Sequence, residues 1–305
     1  MTLQHKLEYV LARTALALFR ALGPAGASNF GGWIARSIGP LLPVSRVAHM
    51  NLAIAIPTLD RAERQRIIRA VWDSLGRTLG EFPHLGNLPE GPGTHPGWTI
   101  ENPAGIDRLA TTGGPAILVS GHFGNWEMLP AAGARHGLIA ASFYRAPDNP
   151  AVDALMLGLR TATLGSGAKL FPKGGAGARQ ALKHLSNGGF MGILNDQKMN
   201  DGIQASLFGR PAMTAPAAAA FALRLRCPVI PCYVLRDGPA RLRVVVERPL
   251  PLPETADRTA DILALTQSIN DRIEAWALAR PETWLWLHRR FDKALYRYPP
   301  ARPAG

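Results

Sequence analysis

The chain has 305 residues, enough to bury one large core or two modest ones. Hydrophobic residues make up 47% and charged residues 18%, a globular and slightly charge-poor balance. The formal net charge of +12 suits an anionic partner such as a membrane surface, a phosphorylated lipid, an acidic carrier protein or a nucleic acid. No nucleic-acid motif with interleaved aromatics and no Cys/His cluster at zinc spacing accompanies that charge, so nucleic-acid binding and a zinc site are set aside.

At the N-terminus, Leu7, Val10, Leu11, Ala15, Leu18 and Leu22 follow helical spacing, with Arg13 and Arg20 on another face. The arginines interrupt every apolar run, so the segment falls short of the roughly 20 apolar residues of a spanning helix. They also break the apolar region that a signal peptide needs, although Ala25-Gly-Ala27 mimics a cleavage site. The pattern predicts a basic amphipathic helix lying in a membrane interface, with an ordinary core helix as the alternative. Phe30 to Leu42, containing Trp33, is a candidate second interfacial element.

A helix is predicted over 58–82, capped by Asp60 or Thr58, with Ile67, Ile68, Val71, Trp72 and Leu75 on its apolar face. The Gly- and Pro-rich stretch from Gly86 to Gly97 reads as a loop. Pro115 to Ser120 reads as a short buried strand and Trp126 to His136 as a helix. Strands at Leu138–Phe143 and Phe190–Leu194 then alternate with helices at Asp153–Leu164 and Ala178–Leu185. Pro216 to Leu225 reads as a helix with Thr214 as N-cap, and a helix start behind Gly209-Arg210 is a ready anion site. Cys227–Leu235 and Arg241–Glu247 read as paired strands joined at Asp237-Gly238, and Thr259–Ala279 as a long amphipathic helix. Cys227 and Cys232 fall on opposite faces of a strand and read as small buried hydrophobes in a reducing compartment, not as a disulfide or metal site. The alternation implies an α/β fold with a mixed central β-sheet flanked by helices. The tail from Tyr298 is Pro-rich and reads as loose.

The chemistry concentrates in Ser120-Gly121-His122-Phe123-Gly124-Asn125-Trp126-Glu127, at the carboxyl end of a strand. Five residues apart on one helix, His122 and Glu127 would diverge by about 140°. A strand–turn–helix can bring them together, with Gly121 and Gly124 giving the turn its freedom. An imidazole oriented by a carboxylate is a general base. No Ser, Cys or Lys nucleophile stands beside the pair, and no Gly-x-Ser-x-Gly elbow occurs, so the base would activate a hydroxyl brought by the substrate. The bland reading makes His122 a loop residue and Glu127 a helix cap. The strand–Gly–His–Gly–Glu context favours catalysis. Gly174-Gly-Ala-Gly177 lacks the last glycine of a dinucleotide fingerprint and reads as the start of a helix. The basic patch of Lys169, Lys173, Arg179 and Lys183 around it is a solvated face or a dock for an acidic carrier or lipid phosphates.

The His–four residues–acid stretch resembles the motif of glycerolipid-type acyltransferases. Other blocks narrow the resemblance to the lipid A biosynthesis acyltransferases, the lauroyl and myristoyl transferases of Gram-negative bacteria. These blocks are Arg46 with Asn51-Leu52; Tyr144-Arg-Ala-Pro-Asp-Asn-Pro150 with Asp153 and Arg160; Asn195-Asp196-Gln197; Leu207 to Pro216; and Pro281 to Phe291. Two blocks depart from the family pattern, at Lys198-Met199-Asn200 and at Leu207-Phe208.

The resemblance implies a catalytic set of His122, Glu127, Arg160 and Asp196. In it His122 takes the hydroxyl proton, Glu127 orients the imidazole, Arg160 stabilises charge or holds Glu127 and a phosphate, and Asp196 positions the network. Backbone amides at the helix start after His122 are candidate oxyanion donors. Asn125, Arg145, Gly209, Arg210, Arg289 and Arg290 are the candidate substrate contacts. The implied donor is acyl carrier protein or acyl-CoA, and the acceptor is an anionic lipid, a lipid A precursor. The implied place is the cytoplasmic face of the inner membrane, with no metal or organic cofactor. The corresponding layout is a membrane-associated helical segment over 1–45, an acyltransferase domain over 46–297 and a flexible tail over 298–305. The alternatives are another lipid acceptor (glycerolipid, ornithine lipid or glycolipid) or a non-catalytic basic protein that binds membrane surfaces.

Overall fold

A computed structural model describes residues 2–93, 95–164 and 167–297, and the loose-tail reading of 298–305 lies outside them. The helices are α1 (Leu3–Ile38), α2 (Ser45–Ala55), α3 (Arg61–Glu81), α4 (Ala104–Thr112) and α5 (Met128–Arg135). They continue with α6 (Pro150–Leu164), α7 (Gly175–Ser186), α8 (Ala217–Leu225), α9 (Arg258–Ala279) and α10 (Lys293–Arg297). The strands are β1 (Gly97–Glu101), β2 (Ala116–Ser120), β3 (Ala140–Tyr144), β4 (Leu170–Pro172), β5 (Phe190–Leu194), β6 (Lys198–Leu207), β7 (Arg210–Thr214), β8 (Val229–Gly238) and β9 (Arg241–Val246). A seven-stranded sheet runs β1-β9-β8-β2-β5-β3-β4. Its pairs are parallel except the β8–β9 hairpin, which makes the sheet mixed, as the sequence predicts.

Helices cover both faces of the sheet, so its strands are apolar on both sides. Ile117, Val119, Met191, Ile193 and Val229 point to one core with α2, α3, α8 and α9. Ala116, Ile230, Cys232, Val234 and Val244 point to the other with α4 and α5. Cys227 belongs to the first core and Cys232 to the second, both free and buried, as their odd spacing predicts. Burial pushes the Cys232 thiol up to about 12.

α3 begins where expected. The Asp60 carboxylate accepts from Glu63 N at 2.8 Å and Glu63 answers from Asp60 N at 2.7 Å, a reciprocal cap. α1 is two arms, because Gly23 leaves the helical region (φ 66°, ψ 171°) just before Pro24. The second arm lies backbone to backbone on α3. A Cβ on Gly31 would stand 2.3 Å from Gly76 O, and one on Gly80 2.2 Å from Ala27 O. The first arm turns its apolar positions outward: Leu7 and Leu11 are each 60% exposed, and Leu3, Val10, Leu18 and Leu22 are exposed as well. Trp33, Ile38 and Leu41 are exposed near the end of the second arm and beyond it. Among the described residues no helix is long and apolar enough to cross a membrane.

The region 198–214 departs from the sequence reading. β6 and β7 form an antiparallel hairpin outside the main sheet, with Leu207 opposite Arg210. Phe208 (φ 53°) and Gly209 (φ 64°) make its two-residue turn, so no helix starts behind Gly209-Arg210. Thr214 ends β7 and does not cap α8. Its hydroxyl takes hydrogen bonds from Asn270 and Arg290, and Pro216 stands at the helix start.

Candidate active site

Strand register builds the site. Ser120 at the end of β2 lies beside Leu194 at the end of parallel β5. Two residues beyond each, His122 and Asp196 emerge side by side. His122 Nδ1 donates to Asp196 Oδ1 at 2.9 Å, and the His122 backbone N–H donates to Oδ2 at 2.8 Å. A carboxylate cannot donate, so the ring proton sits on Nδ1 and Nε2 is left as the base. The indole of Trp284 also donates to Asp196 Oδ2, at 2.7 Å. The His122 ring meets Trp126 edge-on at 4.9 Å and His288 at 6.3 Å.

Burial alone would raise the Asp196 carboxyl. The charge of His122 and the hydrogen bonds from His122 and Trp284 outweigh it and hold the group well below the usual carboxylate range. Burial alone would lower the His122 imidazole. The charge and hydrogen bond of Asp196, followed by the charge of Glu127, reverse this and raise it, against a smaller effect of Lys173.

The expected His122–Glu127 pairing is therefore corrected: Asp196 is the carboxylate that orients the imidazole. Glu127 stands at the start of α5 and binds Arg160, with Nη2 to Oε1 at 2.7 Å and Nε to Oε2 at 3.3 Å. Such a forked pair fixes geometry as well as charge. The alternative partner for Arg160, Asp153, instead accepts from the Tyr144 hydroxyl. Burial and that carboxylate push the Tyr144 phenol up to about 12. The Arg160 guanidinium lies 5.1 Å from the Tyr144 ring centre and 5.9 Å from that of Phe82.

His122, with Asp196 buried behind it, and the Glu127–Arg160 pair line one cavity of about 350 Å³. Its polar lining includes His122, Glu127, Arg145, Arg160, Lys173 and Gln197. Its apolar lining, including Leu118, Leu129, Leu138, Val244 and Val246, continues between the sheet and α5. Among the described residues no group of His, Cys, Asp and Glu could hold a metal ion.

The other candidates scatter. Arg145 lines the cavity, whereas Asn125, Gly209, Arg210, Arg289 and Arg290 do not. Asn125 is fully buried and gives its amide to Glu81 at 2.8 Å. Arg290 is buried and donates to Met213 O at 3.0 Å and Thr214 Oγ1 at 2.7 Å, which ties the C-terminal segment to β7. Burial pushes its guanidinium down to about 10. Arg289 is exposed and lies 5.8 Å from the Tyr296 ring centre. At the helix start, Met128 N and Leu129 N donate to Asn125 O and Trp126 O, so these amides are not free for an oxyanion.

Sequence reasoning missed the groups behind the site. Glu81 is fully buried and accepts from Asn125, Ser28, Arg236 and Ala240 N. Burial alone would raise its carboxyl; Arg236 outweighs burial and lowers it. Thr78 of the same helix donates to Gly124 O at 3.0 Å. Gly124 (φ 53°) has no room for a side chain, since a Cβ would stand 2.3 Å from Val234 O. On the other flank, Gly124 N donates to Thr283 O at 2.9 Å and Leu285 N to His122 O at 3.0 Å, so Thr283–Leu285 runs along the turn as a strap.

An imidazole held by a buried carboxylate at the mouth of an apolar-lined cavity is the arrangement of a general base placed beside an apolar substrate. Bacterial lipid A biosynthesis acyltransferases match the chain over residues 2–293, and the chain belongs to that family. No curated protein matches it in sequence. Among solved structures it is similar to the 1-acyl-sn-glycerophosphate (LPA) acyltransferase, PlsC, from Thermotoga maritima, with a TM-score of 0.38 and 14% identity. That likeness covers 80% of this chain and 98% of the other; at so low a score it carries no weight.

Proposed function

We propose that the protein transfers a fatty acyl group from a carrier thioester to a hydroxyl of an anionic lipid, a lipid A precursor. The observation that supports this best is His122, held by Asp196 from behind, opening with the Glu127–Arg160 pair onto one apolar-lined cavity. A cavity of that size and lining suits an acyl chain. His122 Nε2 takes the hydroxyl proton as the oxygen attacks the thioester carbonyl. The tetrahedral intermediate expels the thiolate, which receives the proton from the imidazolium. Asp196 stabilises the imidazolium, while Arg145, Arg160 and Lys173 are the cations that line the cavity where the oxyanion develops. No enzyme-bound acyl intermediate is required.

The donor in this reading is acyl carrier protein or acyl-CoA, and the net charge of +12 favours either anion. The exposed leucines of the first arm of α1, with Arg13 and Arg20, would rest on the cytoplasmic face of the inner membrane. Incubation of the purified protein with acyl carrier thioester and lipid A precursor in mixed micelles, read by mass spectrometry, tests the assignment. One added acyl chain, absent with His122→Ala, is the expected product. Acylation of a glycerolipid, ornithine lipid or glycolipid in its place would replace the acceptor.

A further inference from the structure

α6 carries Arg160, and most of its residues are only half-buried. Leu159 is the one residue of this fifteen-residue helix that is buried. One fully buried side chain among half-buried ones leaves room for polar ties to set the orientation of the helix. In its second half, Arg160 grips Glu127. In its first turn, Asp153 accepts from the Tyr144 hydroxyl. At its N-terminus stands Asn149, only 4% exposed.

The Asn149 side chain joins two elements. Its Oδ1 accepts from Ala151 N at 3.1 Å and faces Val152 N at 3.5 Å, which caps α6. Its Nδ2 donates to His5 O at 2.8 Å and to Glu8 Oε2 at 2.9 Å, both on the first arm of α1. That arm holds the exposed leucines and is the part of the chain nearest the start of the sequence.

We infer that Asn149 is a positioning residue for acyl transfer: by fastening α6 to the His5 carbonyl and Glu8 carboxylate of the N-terminal helix, it sets Arg160 on Glu127. The inference rests on the acyl-transfer reading and adds to it a residue outside the cavity. Arg160 lies eleven residues beyond Asn149, roughly 16 Å along a helix axis. A tilt of about 5° at that joint displaces Arg160 by roughly 1.4 Å. A misplacement of about 1 Å in a catalytic constellation can cost on the order of 10²-fold in rate. Whatever seats the N-terminal helix therefore also sets the Glu127–Arg160 pair.

Asn149→Asp separates the two tasks of the side chain. The new carboxylate still caps α6, and an anion is favoured at a helix N-terminus. It cannot donate to His5 O, and it repels Glu8. The variant should stay folded, with a modestly lower melting temperature from the broken joint, and should keep its binding to anionic vesicles. Its kcat should fall about tenfold with the donor KM unchanged, and amide hydrogen exchange over 150–164 should quicken. Adding Glu8→Gln supplies a side-chain amide for the introduced carboxylate and should recover most of the lost kcat and protection. Unchanged kcat in Asn149→Asp, unchanged exchange, or a loss that Glu8→Gln leaves in place would overturn the inference. Exchange is read without substrate, so it decides the joint independently of the acyl-transfer reading. A wild-type protein that transfers no acyl group would fail that reading alone.

Discussion

At the residue scale, the two carboxylates of the site have exchanged the roles their positions in sequence suggest. Glu127 is near His122 along the chain, but Asp196 is near it in the sheet, and the sheet decides. The base works only with Nε2 unprotonated, so the rate should rise with pH through the His122 pKa. That pKa is raised above its ordinary 6.5, which places the acidic limb above 6.5. Asp196→Asn removes the larger of the charges that raise it and leaves burial, which lowers it, against the smaller effect of Glu127. The limb should therefore move to lower pH, while the plateau rate falls by about 10²-fold or more. A limb that stays in place would show that Asp196 does not govern the base. His122→Ala should cost at least about 10²-fold, and His122→Ala with Asp196→Asn little beyond the worse single change. The Glu127–Arg160 pair is a second unit. Arg160→Lys keeps the charge and loses the fork, so kcat should drop about tenfold or more while the protein stays folded. A lysine variant with full turnover and an earlier melt would make the pair structural.

At the element scale, apolar runs and caps revealed most helices and strands, and the physical reasons for the omissions are specific. β1 follows a Gly- and Pro-rich loop and mixes Trp98 and Ile100 with polar neighbours, so its five residues carry a weak period. β4 is only three residues long. β6 opens with Lys198-Met-Asn-Asp-Gly202, polar residues with a glycine, and its turn is Phe208-Gly209, not an asparagine–glycine pair. The C-terminal strap was legible as aromatic packing, since Trp284, Trp286 and Phe291 are buried. Its second task was not, because nothing along the chain shows that the Trp284 indole reaches Asp196. A hydrogen bond to a buried charge contributes about 1.5–3 kcal/mol. Trp284→Phe keeps the ring and deletes the donor, so urea unfolding should report a loss in that range, with a lower kcat. A variant as stable and as active as wild type would reduce Trp284 to packing.

At the scale of the whole molecule, parallel strands deliver their carboxyl ends to one edge, and the candidate site lies there. The residue identities of the four catalytic candidates were legible because they lie just past strands or on helices with clear periods. Their pairing was not, because Ser120 facing Leu194 is a fact of register between strands more than 70 residues apart in sequence. The amphipathic pattern at the N-terminus was legible too, but periodicity cannot say which way an apolar face turns. In the fold it turns outward along the first arm of α1, away from both cores. The proposed membrane contact rests on this exposed row of leucines beside Arg13 and Arg20, which suits a surface that is apolar and anionic together. Removal of residues 2–22 takes away this arm at the Gly23 kink and leaves the second arm on α3. The truncated protein should keep a cooperative melt close to that of the full chain, since the removed leucines contribute little buried area. Its affinity for vesicles containing anionic lipid should fall by about tenfold or more, and co-sedimentation at moderate salt would measure it. Because Asn149 would lose its partners on the arm, kcat on a soluble acceptor should fall as well. Vesicle binding equal to that of the full chain would show that the arm is not the membrane contact.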